Sequence, residues 1–492
     1  MSGSLLTIDQ GTTGSQVFTF DTNTCAVKAK SKIEFPQIYP QPSWVEHNPA
    51  AIWSSVLQAL KIAHDGSSKI EGIGITNQRE TCLAWNRETG ETAGNALVWQ
   101  DRRTAEFCDT LRENSTLKAN ILNKTGLVCD PYFSASKMKW MLENYPNAQK
   151  WAKNGTLCLG TIDSYLIYKL TNGKIFATDH TNASRTMLYN LHTGKYDSEL
   201  LDCFGIPEKA LPEIKNSSSL LGETSQVPGL QNGIPILSCI GDQQSALFGG
   251  QCLNAGEAKI TYGTGAFLLM NIGHKPLFSN DGLLTTVAYS NENSPRTFAL
   301  EGSAFIAGAA VQFMRDNFGW IASASQSESF AHSLPRDENL IFIPALTGLA
   351  APYWNPKARG TLFGLTRGTH KAQIMRCVLE SIAIQNAQLL SLMTKCSGFP
   401  LKRVGVDGGA SQNNSLMQFQ ADILRTHLAR PANSETTALG AAFAILATMG
   451  KNIPQVSAST HKTFTPEMPE LEANKIKVTW LKALECVNKF YS

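Results

Sequence analysis

Two short apolar segments joined by a polar, glycine-rich turn occur twice in this chain, and this repeat constrains its fold more than any other feature. The first copy runs from Leu5 to Phe20 and the second from Ala258 to Asn271. The first glycines of the two turns, Gly11 and Gly263, lie 252 residues apart, which is about half of the chain. A similar β-hairpin in each half predicts two related domains that face each other across a cleft.

The first turn has the composition of a phosphate-binding loop. Gly11 and Gly14 allow backbone angles that bring N–H groups close together. Thr12 and Thr13 add two hydroxyl groups. Asp9, at the end of the first segment, is placed to hold Mg²⁺ through water molecules. The alternative is an ordinary hairpin with a polar loop, because short motifs of this kind also occur by chance.

Length and composition exclude several classes of protein. The 492 residues suffice for two or three domains, and we predict two, covering 1–240 and 241–492. The net charge of +3 does not indicate a nucleic-acid or membrane surface, and no apolar run approaches the ~18 residues of a membrane-spanning helix. The first residues lack the features of a secretory signal, and the 11 cysteines form no Cys-x-x-Cys pair. These features predict a cytoplasmic protein with reduced thiols.

Polar residues follow predicted strands at two places. Arg79 and Glu80 come shortly after the strand predicted for residues 70–76, and Asp242 follows the strand predicted for 234–238. Strand ends of this kind point into the ligand crevice of α/β proteins. Asp242 can accept the proton of an attacking hydroxyl or, alternatively, cap a helix. Arg79 and Glu80 can hold two hydroxyls of a small polyol or, alternatively, form a surface ion pair of little energetic value.

A glycine-rich turn in the second half has the features of a nucleotide-base site. Gly408 and Gly409 follow a predicted strand, so that a flat base can lie against bare backbone and form a hydrogen bond with Asn413. A plain strand–helix turn is the alternative. Helices are predicted for residues 305–316 and 415–427. Three large aromatic residues form either a substrate wall or part of the core: Trp99, Tyr132 and Phe267.

Ten longer sequence runs form a specific set between Leu5 and about Met449. They are IDQGTTGS from Ile8, GITNQRET from Gly74, VWQDRRT from Val98, PYFSASKMKWMLEN from Pro131, TNASRTMLYN from Thr181, GDQQSALFG from Gly241, YGTGAF from Tyr262, ALEGSAFIAGAAVQ from Ala299, ARGTLFGLTRGTH from Ala358 and VDGGASQNN from Val406. This set resembles the glycerol kinases of the FGGY carbohydrate kinase family, in the actin-like ATPase superfamily. The resemblance implies an α/β fold with two actin-like (ribonuclease H-like) ATPase domains, related by duplication, and a catalytic cleft between them.

The same resemblance implies an activity and the residues that perform it. It implies transfer of a phosphoryl group from ATP to glycerol, giving sn-glycerol 3-phosphate, with Asp242 as the base and Mg²⁺ near Asp9. The implied glycerol contacts are Arg79, Glu80, Trp99, Tyr132, Asp242, Gln243 and Phe267. The implied nucleotide contacts are Thr12, Thr13, Gly14, Thr264, Gly308, Gln312, Gly409 and Asn413. A homodimer or homotetramer is the expected assembly.

Two positions depart from the pattern of the family. Its members usually carry an arginine near the transferred phosphate where this chain has Gln16, and a neutral amide cannot offset charge on phosphoryl oxygens. Some bacterial members are inhibited by fructose 1,6-bisphosphate through a loop in which an arginine stands at the position of Gly233. Here no Lys, Arg or His occurs from Asn216 to Ala258, so we expect no inhibition through this loop.

Two other functions stay open at the level of the sequence. One is a kinase for another small polyol or a sugar, although a larger sugar would need more polar partners than Arg79, Glu80, Asp242 and Gln243 supply. The other is a non-enzymatic ATP-binding protein of the actin-like superfamily. The presence of Asp242 together with Arg79 and Glu80 argues against it.

Overall fold

Strands and helices occur in both halves of the chain in the computed structural model, which describes residues 3–66, 68–349, 351–432, 435–454 and 461–492. The strands are β1 Ser4–Gln10, β2 Gly14–Asp21, β3 Val27–Glu34, β4 Glu46–His47, β5 Ile70–Asn77, β6 Cys82–Asn86, β7 Ala96–Leu97, β8 Leu157–Thr161, β9 Ala177–Asp179, β10 Tyr189–Asn190, β11 Lys195–Tyr196, β12 Glu213–Lys215, β13 Ser218–Glu223, β14 Pro235–Gly241, β15 Glu257–Tyr262, β16 Ala266–Gly273, β17 Leu284–Tyr289, β18 Thr297–Ala304, β19 Ile341–Ile343, β20 Thr361–Phe363, β21 Arg403–Asp407, β22 Leu428–Pro431 and β23 His461–Phe464. The helices are α1 Pro49–Ala63, α2 Ala105–Glu113, α3 Ser115–Thr125, α4 Ser134–Asn144, α5 Pro146–Asn154, α6 Ile162–Leu170, α7 His180–Ala183, α8 Ser198–Phe204, α9 Asp242–Gly249, α10 Gly308–Asp316, α11 Ser327–Ala331, α12 Lys371–Ser397, α13 Asn414–Leu424, α14 Thr436–Thr448 and α15 Glu470–Phe490, with short 3-10 turns at Glu208–Ala210, Ala324–Gln326 and Gly409–Gln412.

Two large mixed sheets share one internal pattern. The first has the strand order β13-β14-β5-β1-β2-β3 and the second the order β17-β18-β16-β15-β21-β22-β23. In the first, β1 pairs antiparallel with β2 and parallel with β5, which pairs parallel with β14. In the second, β15 pairs antiparallel with β16 and parallel with β21, which pairs parallel with β22. This repeat confirms the predicted α/β fold with two related domains.

Both predicted hairpins form, and helices cover both faces of the first one. Leu6, Ile8 and Val17 belong to the same buried cluster as five residues of α1. Leu5 and Phe18 point to the other face. A strand that is covered on both faces has apolar residues in succession and not in alternation. This explains the apolar run Leu5, Leu6 and Ile8 in β1.

Helix α14 follows the second hairpin by well over a hundred residues but packs on the first sheet. Its Ala441 and Ile445 belong to the same buried cluster as Leu5, Phe18 and Phe20. It also packs closely on α9, because a Cβ added at Gly440 would lie 1.9 Å from the Ser245 carbonyl oxygen. The first sheet therefore takes its strands from residues before 242 and part of its covering from the end of the chain.

Two helices of the second half begin or end at other residues than predicted. Helix α10 begins at Gly308, because the N–H groups of Ala307 and Ala309 both donate to the Thr264 carbonyl oxygen and hold a turn there. Helix α13 ends at Leu424, where Arg425 adopts a left-handed conformation with φ of 59°. In the part of the chain that the structure describes, every helix is too short or too polar to cross a membrane.

Candidate active site

The turn after β5 buries two residues of opposite charge. The Thr81 N–H donates to the Arg79 carbonyl oxygen at 2.7 Å, and Glu80 between them has a φ of 60°. This left-handed conformation is costly for a residue other than glycine, so the surroundings must hold it in place. Arg79 is 3% exposed and Glu80 is 2% exposed. The surface-pair alternative for these residues is therefore wrong.

Two further residues complete a buried ionic cluster with this pair. Glu301 on β18 accepts hydrogen bonds from Arg79 Nη1 at 2.6 Å and Nη2 at 3.1 Å. Arg185, which follows α7, donates from Nε to Glu80 at 2.6 Å and from Nη2 to Glu301 at 2.9 Å. Glu301 and Arg185 are as fully buried as the first pair. The positive charges of two guanidiniums thus balance the negative charges of two carboxylates. Charged groups that are buried require such pairing.

Asp242 borders this cluster at the start of α9. Its Oδ1 lies 3.3 Å from Arg79 Nε and accepts a hydrogen bond from the Gln243 N–H at 2.7 Å. Its side chain keeps 29% of its surface exposed. Gly241, not Asp242, occupies the N-cap position of α9, so the capping alternative is wrong. A partly exposed carboxylate beside a buried cluster can act as a base for an incoming hydroxyl.

Three half-buried aromatic rings lie beside the ionic cluster. Trp99 packs edge-on against Tyr132 and Phe267, with ring centroids 5.6 and 6.3 Å apart. The guanidinium of Arg185 lies 5.6 Å from the centre of the Tyr132 ring. Trp99 Nε1 donates to Thr12 Oγ1 at 3.0 Å, which connects these rings with the turn of the first hairpin. Because the three rings are partly exposed, they do more than pack in the core: together they form an apolar wall beside the ionic cluster.

Each hairpin turn is closed by a backbone hydrogen bond from its first glycine, and the second turn is one residue shorter than the first. Gly11 N–H donates to the Gly14 carbonyl oxygen at 2.9 Å, and Gly263 N–H donates to the Gly265 carbonyl oxygen at 2.8 Å. A Cβ added at Gly14 would lie 2.7 Å from the carbonyl oxygen of Ile33 on β3, so only glycine fits. The turns expose Thr13 and Thr264 respectively, while Thr12 is half-buried.

The other residues implied to contact the nucleotide lie in the second half. Gly308 is the first residue of α10, and Gln312 is exposed one turn later. Gly409 opens onto free space, because a Cβ added there would meet no heavy atom within 4 Å. Asn413 has partners within the protein, since Oδ1 caps α13 through the Leu416 N–H and Nδ2 donates to Ser327 at 3.3 Å.

Comparison with known proteins decides which family has this arrangement. Residues 4–249 match the N-terminal domain of the FGGY family of carbohydrate kinases, and residues 258–449 match its C-terminal domain. The chain belongs to this family. It is 46% identical to the glycerol kinase of Burkholderia multivorans, over 98% of this chain and 97% of that protein, and 47% identical to the glycerol kinase of Deinococcus radiodurans, over 98% and 96%. The crystal structure of Plasmodium falciparum glycerol kinase with ADP superposes with a TM-score of 0.93 at 35% identity, covering 99% of this chain and 98% of that one.

In this FGGY kinase, Asp9 lies among negative charges. Burial, together with the charges of Asp242 and Glu435, raises the pKa of Asp9 to about 7. A hard divalent cation bound through oxygen atoms would relieve this repulsion. The carboxylate groups present at this point of the FGGY kinase therefore fit Mg²⁺.

A second group of acidic residues holds α7 and so positions Arg185. Asp163 accepts hydrogen bonds from Thr161 at 2.5 Å and from Thr178 at 2.6 Å, and Asp179 caps α7. Thr181 Oγ1 in α7 accepts a hydrogen bond from the Gly241 N–H at 2.8 Å, next to Asp242. Although Asp163, Asp179 and Cys239 lie close enough to share a metal ion, hydrogen bonds already satisfy both carboxylates. We interpret this group as structural in the FGGY kinase.

Reasoning from the sequence missed Arg185 and Glu301. Both lie within runs that resemble the FGGY family, but neither follows a predicted strand end or a glycine-rich turn. One signal was present for Glu301, because it is the charged residue of the otherwise uncharged strand TFALEGSA. A carboxylate in a buried strand needs a cationic partner.

Proposed function

We propose that this chain transfers the γ-phosphoryl group of ATP to a terminal hydroxyl of glycerol and forms sn-glycerol 3-phosphate. The observation that carries this proposal is the contact of Asp242 with Arg79 beside the Trp99 wall. The site offers one partly exposed carboxylate, Asp242, with a hydrogen-bond donor and an acceptor beside it, which suits a three-carbon polyol. The similarity to glycerol kinases along nearly the whole chain supports this substrate.

In this mechanism Asp242 accepts the proton of the attacking hydroxyl. Burial raises the pKa of Asp242, although the charge of Arg79 opposes this effect. A raised pKa makes the carboxylate a better base near neutral pH. In phosphoryl transfer the hydroxyl needs to lose its proton only late, as its bond to phosphorus forms.

The polyol is oriented by polar groups on one side and by aromatic rings on the other. Arg79 donates to one hydroxyl and Glu80 accepts from another, while Gln243 adds an amide. Trp99, Tyr132 and Phe267 pack against the carbon chain. These rings exclude water, which protects the phosphoryl group from hydrolysis.

The two hairpin turns bind the phosphates of ATP from opposite sides of the cleft. Thr12, Thr13 and Gly14 contact them from the first half, and Thr264 contacts them from the second. The nucleoside is bound by Gly308, Gln312, Gly409 and Asn413. Asp9 would hold Mg²⁺, which neutralises charge on the phosphate oxygens when bound.

We also expect this enzyme in the cytoplasm, because its eleven cysteines are free thiols and ten of them are buried or half-buried. A homodimer or homotetramer stays the expected assembly.

The test is turnover with a panel of polyols. Purified protein is mixed with Mg²⁺ and ATP and with glycerol, a four-carbon polyol, xylulose or gluconate, and the release of ADP is measured. We expect the highest kcat/KM with glycerol and a product that phosphorus NMR identifies as sn-glycerol 3-phosphate. Preference for a sugar would indicate a different kinase specificity, and binding of ATP without polyol-dependent turnover would indicate a non-enzymatic protein.

A further inference from the structure

Glu301 reaches the proposed polyol site from the second half of the chain. It lies in the middle of β18, directly opposite Leu269 of β16 and Leu284 of β17. It is 1% exposed. A carboxylate between such neighbours is stable only with cationic partners, and both of its partners, Arg79 and Arg185, come from the first half.

The distances show which carboxylate holds Arg79. Two nitrogens of its guanidinium donate to the two oxygens of Glu301, at 2.6 and 3.1 Å. Its third nitrogen, Nε, lies 3.3 Å from Asp242 and 3.8 Å from Glu80. A bidentate pair is the stronger contact and also fixes the plane of the guanidinium. Glu301 therefore sets the orientation of Arg79, while Asp242 contacts only the Nε edge of the guanidinium.

The same carboxylate holds Glu80 through Arg185. Arg185 donates to Glu301 with Nη2 and to Glu80 with Nε. Its remaining nitrogen, Nη1, has no hydrogen-bond partner among the residues that the structure describes, but the guanidinium lies 5.2 Å from the ring of Phe133 and 5.6 Å from that of Tyr132. The electron-rich faces of these rings stabilise the cation. Arg185 is therefore fixed from three sides, and its orientation fixes the carboxylate of Glu80.

Glu301 also lies on the same face of the second sheet as one ring of the aromatic wall. Phe267 pairs with Ser303 across β16 and β18, and Leu269 pairs with Glu301 two positions along the same ladder. Residues two apart on a strand share a face of the sheet. The second sheet thus presents Glu301 and Phe267 to the first half from one face, where they contact Arg79 and Trp99.

We propose that Glu301 is a positioning residue for the polyol site, which orients Arg79 directly and Glu80 through Arg185 and prevents Arg79 from forming a closed pair with Asp242. This inference rests on the proposed function, because that function assigns the polyol to Arg79 and Glu80. Loss of the carboxylate weakens polyol binding and leaves nucleotide binding unchanged, since the groups assigned to the nucleotide make no contact with Glu301.

The test compares Glu301→Gln with a matched substitution elsewhere. Glu380 on α12 also bridges two arginines, accepting from Arg336 Nε at 2.9 Å and from Arg376 Nε at 3.1 Å. It lines a cavity between α12 and α15, and none of these three residues is assigned to either ligand. Glu380→Gln therefore removes the same charge from the same kind of bridge. We expect Glu301→Gln to raise the KM for glycerol by about tenfold or more, with the KM for ATP unchanged, and Glu380→Gln to change neither.

Glu301→Asp keeps the charge and provides the second variant. We expect it to restore part of the glycerol affinity, and a glycerol KM equal to that of the wild type in both folded Glu301 variants would overturn the proposal. The proposal would equally be wrong if the two glutamine variants had the same effect. If Glu301→Gln does not fold, the aspartate variant alone decides, because its shorter side chain must still raise the glycerol KM.

The wild-type protein separates this proposal from the proposed function. If it phosphorylates another polyol and not glycerol, the proposed function fails, and the same variants measured with that polyol still test Glu301. If it binds a polyol without turnover, calorimetric dissociation constants replace the KM values in the same comparison.

Discussion

Asp9 and Gln16 lie directly opposite each other in the ladder between β1 and β2. On its other side Gln16 lies opposite Lys32 of β3. Residues that are opposite in antiparallel strands share a face of the sheet, so a carboxylate, an amide and an ammonium group form a row beside the first phosphate turn. A cation thus lies one strand away from the position where the family usually carries an arginine, and Glu34 accepts a hydrogen bond from it at 2.9 Å.

The first prediction concerns Gln16→Arg. We expect it not to lower kcat, because a guanidinium at this position can contact phosphate oxygens in a bidentate manner. The measurement is kcat at saturating glycerol and ATP, with Gln16→Met as the uncharged control of similar length. A strong loss of kcat in a folded arginine variant would contradict this prediction and would mean that the active site of this chain requires Gln16.

The second prediction concerns Asp242→Asn. We expect kcat to fall by about 10²- to 10⁴-fold, because the amide cannot accept the proton of the hydroxyl. Binding of ADP, measured by calorimetry, should stay close to that of the wild type. The role of Asp242 as the base is wrong if this variant keeps more than half of the wild-type kcat.

The third prediction concerns Asp9 and pH. The pKa of Asp9 is raised from 3.8 to about 7, so burying its carboxylate destabilises the folded state increasingly as pH rises between these two values. We expect Asp9→Asn to raise the melting temperature of the metal-free protein more at pH 8 than at pH 5. At pH 8, Mg²⁺ should stabilise the wild type more than this variant.

Asp197→Asn is the control for this pH effect. The pKa of Asp197 is lowered, because hydrogen bonds from Lys124 and Asn190 outweigh its partial burial. Its carboxylate therefore stabilises the folded state above the unfolded pKa, and the asparagine variant should be less stable than the wild type at pH 8. If Asp9→Asn and Asp197→Asn changed the melting temperature at pH 8 in the same direction and to the same extent, charge repulsion at Asp9 would be contradicted.

The fourth prediction is closure of the cleft around both ligands. Glu301 and Phe267 connect the second sheet with residues of the first half, so ligands that contact both halves should draw them together. Small-angle scattering should show compaction with glycerol and a non-hydrolysable ATP analogue. Unchanged scattering with confirmed binding would contradict closure, and a rigid cleft would also hydrolyse ATP appreciably without glycerol.

The fifth prediction is that fructose 1,6-bisphosphate does not inhibit through the loop from Gly229 to Gly233. The structure adds one cation that the local sequence does not show, because Lys174 Nζ donates to Ser225 Oγ at 3.2 Å. One exposed lysine is a weak site for two phosphate groups, so we expect no saturable inhibition at millimolar bisphosphate with both substrates near KM. Inhibition that disappears on mutating the loop would refute this, and Lys174→Ala would show whether this cation contributes.

The elements that were predictable from the sequence are those with local causes. The hairpins follow from alternating apolar residues around glycine, and Arg79, Glu80 and Asp242 were found because strand ends point into ligand crevices. Glu301 and Arg185 were not found, because their partners are set by how β18 and α7 pack against distant segments. Sequence spacing carries no information about such contacts, apart from the isolated charge in β18.

The position of α14 has a consequence for synthesis on the ribosome. The ribosome completes the strands of the first sheet some two hundred residues before α14 emerges to cover Leu5, Phe18 and Phe20. During that interval the nascent first half exposes an apolar face, which chaperones or transient contacts must shield. A fragment that ends before α14 keeps this face exposed permanently, so the first half expressed alone should aggregate unless α14 is supplied as a separate peptide.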